Sequence, residues 1–411
     1  MGPNQATGDP IAGGRAAMVG SLLTVRVSPD GSAGRGSECG RRSRWGQLGQ
    51  VLGALGMAAI LGDCDKSTRL SGADVGSGGL IAFGIAAGHS NEQWVINPRT
   101  GARTRADGLS WGACWSADGR WLIGDLASRS TNGLRQWRPS DGSVEVLRFA
   151  GVPVDLYGVP VASPDGRYVV LADHRCLWLL DLKQERGEQL TLKGWDCAAE
   201  EWPPDAFDDS PVWSRAGDEI AFLRDNPEAT RAGRPDCRLL AVRLPSGKER
   251  ELARFATEIL VLWTQAWSPD GRYLILEEDG PSAKTIPRSH IHDLHTGQTR
   301  PFLPKRGSGI RLAFSPSGDR VVYVSNRTGR YRLYLTSDLT QPGDLLSGSG
   351  GEDFNASWSP DGQSLVVIGR LGSQMDLWLQ PARPGVPSRR LTDDEAVEQT
   401  PVWSPGVADE P

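Results

Sequence analysis

His290, His292 and His295 form the only cluster of histidines in the sequence, with His89 and His174 lying apart from them. Residues two apart on a strand share a face, so His290 and His292 have a spacing that could hold a transition metal. The same positions suit packing side chains, and His295 falls in a turn, Leu294-His295-Thr296-Gly297. Packed and solvated histidines are the expectation, with no metal and no cofactor. Asp118, Asp165, Asp270 and Asp361 recur along the chain and invite a paired-carboxylate reading. Each instead sits just before a Gly, where an aspartate bonds its own backbone in a turn. Acid–base pairs need two carboxylates within roughly 5–10 Å, and dispersed turns do not supply that.

Six cysteines are present. Cys39 and Cys64 belong to the N-terminal region, leaving Cys114, Cys176, Cys197 and Cys237 as disulfide candidates in an exported body, with three pairings open. Four buried thiols are an equal reading. No Cys-x-x-Cys pair occurs, so no structural zinc site is expected. Residues 196–209 are acidic with two aromatics, Trp202 and Phe207. That stretch is a candidate anchor for a basic or aromatic-lined partner surface.

Something must position these residues, and the repeats show what it is. Trp115-Ser116-Ala117-Asp118-Gly119, Ser163-Pro164-Asp165-Gly166, Trp213-Ser214-Arg215-Ala216-Gly217, Trp267-Ser268-Pro269-Asp270-Gly271, Phe314-Ser315-Pro316-Ser317-Gly318, Trp358-Ser359-Pro360-Asp361-Gly362 and Trp403-Ser404-Pro405-Gly406 are copies of one motif. Their serines are 44 to 54 residues apart, which is the period of a four-stranded propeller blade. Pro presets the first corner of a turn, Asp closes it and Gly supplies positive φ. A β-rich run follows each turn, such as Tyr168-Val169-Val170-Leu171 and Val321-Val322-Tyr323-Val324. Runs apolar on both faces suit strands buried between neighbouring sheets. With Gly 51, Pro 28 and Trp 15 in 411 residues, the class is all-β.

The expected fold is a seven-bladed β-propeller, with six blades as the runner-up. Residues 80–103 read as three strands lacking the motif, and Thr400-Pro401-Val402-Trp403-Ser404-Pro405 reads as the missing first strand. One blade split between the two ends of the chain would close the ring and remove open edges.

Ahead of the repeats, Arg41, Arg42 and Arg44 precede the apolar run Val51–Leu61, the pattern of an export signal. Leu61-Gly62-Asp63-Cys64 resembles a bacterial lipobox, although Asp63 stands where a small residue is usual. Lipidation at Cys64, plain cleavage and retention as an anchor all stay open. The domain reading is therefore 1–40 disordered or upstream of a later start, 41–64 export signal, 65–78 linker, 79–405 propeller and 406–411 tail. A formal net charge of -5 argues against nucleic acid as a partner, since that grip needs clustered Lys and Arg.

The Trp-Ser-Pro-Asp-Gly units resemble those of the TolB-like propeller family over residues 79–405. The resemblance implies a periplasmic or lipid-anchored monomer of the cell envelope that binds a protein or peptide without catalysis. Similar blades occur in prolyl oligopeptidases and dipeptidyl peptidases, whose hydrolase domain would need about 200 residues beyond the last repeat; that activity is not expected. Oligogalacturonate lyases are also similar propellers, with a metal held by histidines in the funnel, and a metal-dependent lyase is the alternative function.

Overall fold

The computed structural model describes residue 70 and residues 79–406, apart from 88–89, 111, 125–133, 153–157, 174–175, 194–205, 258–259, 264–265, 279–287, 304–308 and 347. The chain divides into Met1–Leu52 and Gly53–Pro411, and every described residue belongs to the second part. Cys64, Cys197, Trp202 and the export pattern lie outside the described residues. Among those described, no helix is long and apolar enough to cross a membrane.

The repeated turn is built by its serine. Ser163 Oγ donates to Asp165 Oδ1 at 2.5 Å and accepts from Tyr168 N at 2.9 Å, while Gly166 N donates to Ser163 O at 2.9 Å. Gly166 has φ 69°, a conformation that a Cβ would strain. Ser116, Ser268 and Ser359 repeat the pattern with Asp118, Asp270 and Asp361. Three copies lack an acid at that place, and in two of them Asp218 and Asp319, just after the Gly, bond Ser214 and Ser315 instead. The carboxylate moved by two positions and kept its partner.

Each turn joins the first two strands of an antiparallel four-stranded group in which every strand pairs with the next. Cys114–Trp115, Val161–Ala162, Phe207–Trp213, Leu260–Val261 and Gly309–Phe314 begin five such sheets. An eight-stranded sheet holds the remaining two groups. One starts at Glu352–Trp358, and the other joins Val397–Trp403 to Ile81–Ala87, Ser90–Ile96 and Arg103–Arg105. A single parallel contact, Met375 opposite Val397, links them. The described residues thus contain seven four-stranded units, numbered here from Cys114 so that the split one is the seventh.

Closure is explicit in the register. Ile81 lies opposite Trp403, Ala82 opposite Val402 and Ile85 opposite Glu398. Leu80 N donates to Ser404 Oγ at 2.9 Å, and Ser404 N to Leu80 O at 2.7 Å. These are the bonds that Tyr168 and Ser163 make five residues apart, here formed across the whole chain.

The core lies in layers between neighbouring sheets. One layer packs Ile123 and Leu134 against Val169 and Leu180, the next Val170 and Leu177 against Phe222 and Val242. The layer between the seventh unit and the first also takes in Leu70, which is 6% exposed beside Leu80 and Trp115. The segment expected as a linker therefore contributes a core residue. Motif tryptophans staple one sheet to the one before it. Trp213 Nε1 donates to Val161 O, Trp358 Nε1 to Ala313 O and Trp115 Nε1 to Val402 O, at 2.9, 3.0 and 3.1 Å. This is a β-propeller.

Candidate binding face along the inner strands

First strands of successive units touch one another around the ring, as Gly309–Phe314, Glu352–Trp358 and Val397–Trp403 do. They therefore line its centre. Their pairing is interrupted by a bulge between Asp209 and Val212, between Ile310 and Ala313, and between Asp353 and Asn355. Ser210, Arg311 and Thr400, each four residues before a motif serine, sit at φ 54°, 54° and 42°. Left-handed backbone at a non-glycine residue costs about 1 kcal/mol or more, and bulges commonly re-aim side chains beside a site.

Six residues before the motif serine, three units carry a buried acid: Asp208, Asp353 and Glu398, each 0% exposed. Asp208 receives Arg224 Nε and Nη2 at 2.5 and 2.7 Å, and Arg224 also donates to Glu249 at 2.8 and 3.2 Å. Burial pushes the Asp208 carboxyl up while Arg224 opposes it. A two-point guanidinium contact of this length is that of an ion pair. Burial would also favour a neutral Arg224, but its two carboxylates hold the proton more tightly still. Asp353 accepts from Ser349 N and Oγ at 2.8 and 2.9 Å, and from Leu333 N of the preceding sheet at 3.3 Å. Through Leu333 N, Asp353 joins the sixth unit to the fifth.

A different node serves the fourth and fifth units. Glu277 accepts from Trp263 Nε1 and from Arg311 N, both at 3.0 Å. The Arg311 guanidinium lies 3.7 Å from the Trp263 ring centre, a cation–π contact that fixes both side chains.

Phe207 opens the first strand of the third unit opposite Asp225 and is half-buried. The acidic stretch 196–209 therefore runs into strand at its end, since Phe207–Trp213 is strand. Asp208 and Asp209, the last two acids of that stretch, are buried there. Of the four candidate bridging cysteines, Cys176 is disulfide-bonded to a partner outside the described residues. Cys114 and Cys237 carry reduced thiols. The reason is placement: Cys114 packs between the first and second units, and Cys237 in the layer between the third and fourth. Burial pushes the Cys114 thiol up to about 12, which removes its reactive thiolate.

His290 and His292 lie on Arg288–Asp293, the third strand of its sheet. His290 Nε2 is 3.0 Å from Glu278, and His292 Nδ1 is 2.9 Å from Thr299. Burial lowers the His292 pKa, so the ring is neutral at pH 7. His295 occupies the following turn and donates its N–H to Asp293. Among the described residues no group of three or more His, Cys, Asp or Glu converges as a metal set would. The sequence also contains a Gly-x-Ser-x-Gly spacing, Gly108-Leu109-Ser110-Trp111-Gly112. It lies between the strands Arg103–Arg105 and Cys114–Trp115, whereas a hydrolase nucleophile turn leads from a strand into a helix.

The buried acids were legible in principle. Asp208-Asp209-Ser210-Pro211-Val212-Trp213-Ser214 and Glu398-Gln399-Thr400-Pro401-Val402-Trp403-Ser404 align position by position, so the repeat extends six residues ahead of its serine.

No protein-family model matches the chain. A 111-residue stretch is 33% identical to the Tol-Pal system protein TolB of Anaeromyxobacter sp. (strain K), covering 27% of this chain and 25% of that protein. The chain thus matches about a quarter of that relative's length. Among solved structures, a puromycin-hydrolyzing peptidase of Mycobacterium tuberculosis superposes with TM-score 0.51 at 16% identity, over 79% of this chain and 55% of that one. TolB from Acinetobacter baumannii gives TM-score 0.48 at 16% identity, over 79% and 66%. The Trp-Ser-Pro-Asp-Gly units and the ring-closing strand make this chain a β-propeller, and a 111-residue stretch of it is similar to part of TolB.

Proposed function

We propose that this propeller is exported and works as a non-catalytic scaffold of the bacterial cell envelope, holding a protein or peptide partner at the end of the ring where the first strands begin. One observation carries the reading. Two buried acids of the inner strands are already engaged by the fold, Asp208 by Arg224 of its own sheet and Asp353 by Ser349 and by Leu333 N of the preceding sheet. They make a frame stiff, and recognition then falls to the connections mounted on it. The match to a Tol-Pal system protein supports an envelope setting and a protein partner. The basic and apolar pattern of residues 41–61 supports export.

The test is recovery of partners from envelope extracts by the folded wild type and by Trp202→Ala with Phe207→Ala. An aromatic anchor removed from an interface centre costs about 2 kcal/mol or more, so at least one partner should fall roughly 30-fold in affinity. Unchanged recovery of every partner would clear this segment of a role. Metal-dependent turnover by the wild type would overturn the scaffold reading.

Export has its own readout. Mass spectrometry of the native protein should show loss of residues up to about Asp63, with diacylglycerol on Cys64 if the lipobox is used. A cytosolic protein that keeps Met1 would contradict it.

A further inference from the structure

The acid six residues before the motif serine faces an arginine in two units and has none in the seventh. Asp208 lies opposite Arg224 in the strand register, and the two form an ion pair. Glu398 holds the same place on the closing strand, but the residue opposite it is Ile85. Glu398 is 0% exposed, no residue meets hydrogen-bond geometry with either of its oxygens, and among neighbouring side chains Thr392 favours its charged form.

Its neighbours worsen the position of a negative charge. Asp376, on the third strand of the sixth unit, is also 0% exposed. Its Oδ2 takes Arg390 at 2.6 Å, and its Oδ1 has no partner. Asp393 and Asp394 follow on the connection into the closing strand, Asp394 meeting Arg103 at 2.5 Å. On the first strand of the sixth unit, Glu352 pairs with Arg370 and Asp353 with Arg332. The strand Ile81–Ala87 brings no ionisable group at all. Each nearby arginine is therefore already placed against another carboxylate. Thr392 stands between, its Oγ1 accepting from Leu377 N at 2.9 Å.

We propose that Glu398 is a proton-operated latch on ring closure: as a neutral acid it lets Val397–Trp403 dock, and loss of its proton favours release of that strand. Burial first, then the charges of Asp394 and Asp376, push the Glu398 carboxyl up to about 9 from its ordinary 4.5. A raised carboxyl stabilises the docked state fully below the ordinary value, and that contribution declines as pH rises toward about 9. Burial raises Asp376 as well, so the two acids act in the same direction.

Amide hydrogen exchange in the full chain tests this with an internal control. The ratio of exchange in Val397–Trp403 to exchange in Phe207–Trp213, whose acid has Arg224, cancels the intrinsic effect of pH. In the wild type this ratio should rise about tenfold or more between roughly pH 6 and pH 9, and in Glu398→Gln most of that rise should be lost, leaving only what Asp376 contributes. A constant wild-type ratio, or the same rise in Glu398→Gln, would overturn the latch. Should that variant fail to fold, the wild-type ratio alone decides.

Discussion

Arg224→Ala is expected to destabilise the propeller by about 3–5 kcal/mol, the usual cost of leaving a buried charge without its partner. The Arg224 side chain is 11% exposed and that of Asp208 0%, so water cannot replace the guanidinium. Glu249 would lose its contact in the same step. The size of the effect depends on burial and not on the number of ion pairs. Arg250, paired with Glu219 at 2.9 Å but 48% exposed, should cost no more than about 1 kcal/mol when replaced by Ala. Replacing both members, as Arg224→Met with Asp208→Leu, should recover most of the loss, because no uncompensated charge remains. Urea midpoints for the four proteins check this. An Arg224→Ala midpoint as close to wild type as that of Arg250→Ala would show that the inner-strand acids do not hold the frame.

The parts of the molecule that could be read from the sequence are those whose chemistry is local. Ser163, Asp165 and Gly166 build their turn within six residues of chain, so the motif announces itself wherever it recurs. The closing unit was legible for the same reason. Ser404 bonds Leu80 as Ser163 bonds Tyr168, and the fragment lacking its partner could be recognised at each end of the repeats.

The position of the acids was legible from the extended repeat, but their burial was not, because a buried carboxylate and a solvated one look alike in sequence. Asp208 and Asp209 resemble the acidic residues just ahead of them, and only the strand register sets Arg224 opposite Asp208. Cysteine pairing failed to show for a related reason. Which thiols can meet depends on the core layer each one enters, and Cys114 and Cys237 enter different layers. The face proposed to hold a partner is least legible of all. Its frame follows from the repeat, while its recognition residues lie in connections that obey no repeat.

Removing residues 398–411 tests most directly whether the ring is closed by its own C-terminal strand. The deletion strips the pairing partner from Ile81–Ala87 and leaves an open edge of seven residues, a template for pairing with other chains. It also removes Trp403, 7% exposed in the layer between the sixth and seventh units, and the carbonyl of Val402 that receives Trp115 Nε1. Loss of one buried tryptophan side chain alone costs about 3–5 kcal/mol, and here the strand carrying it goes too. Thermal melting and size-exclusion chromatography should show a large loss of stability with aggregation. A truncated chain that stays monomeric with the melting temperature of the wild type would contradict the closed ring.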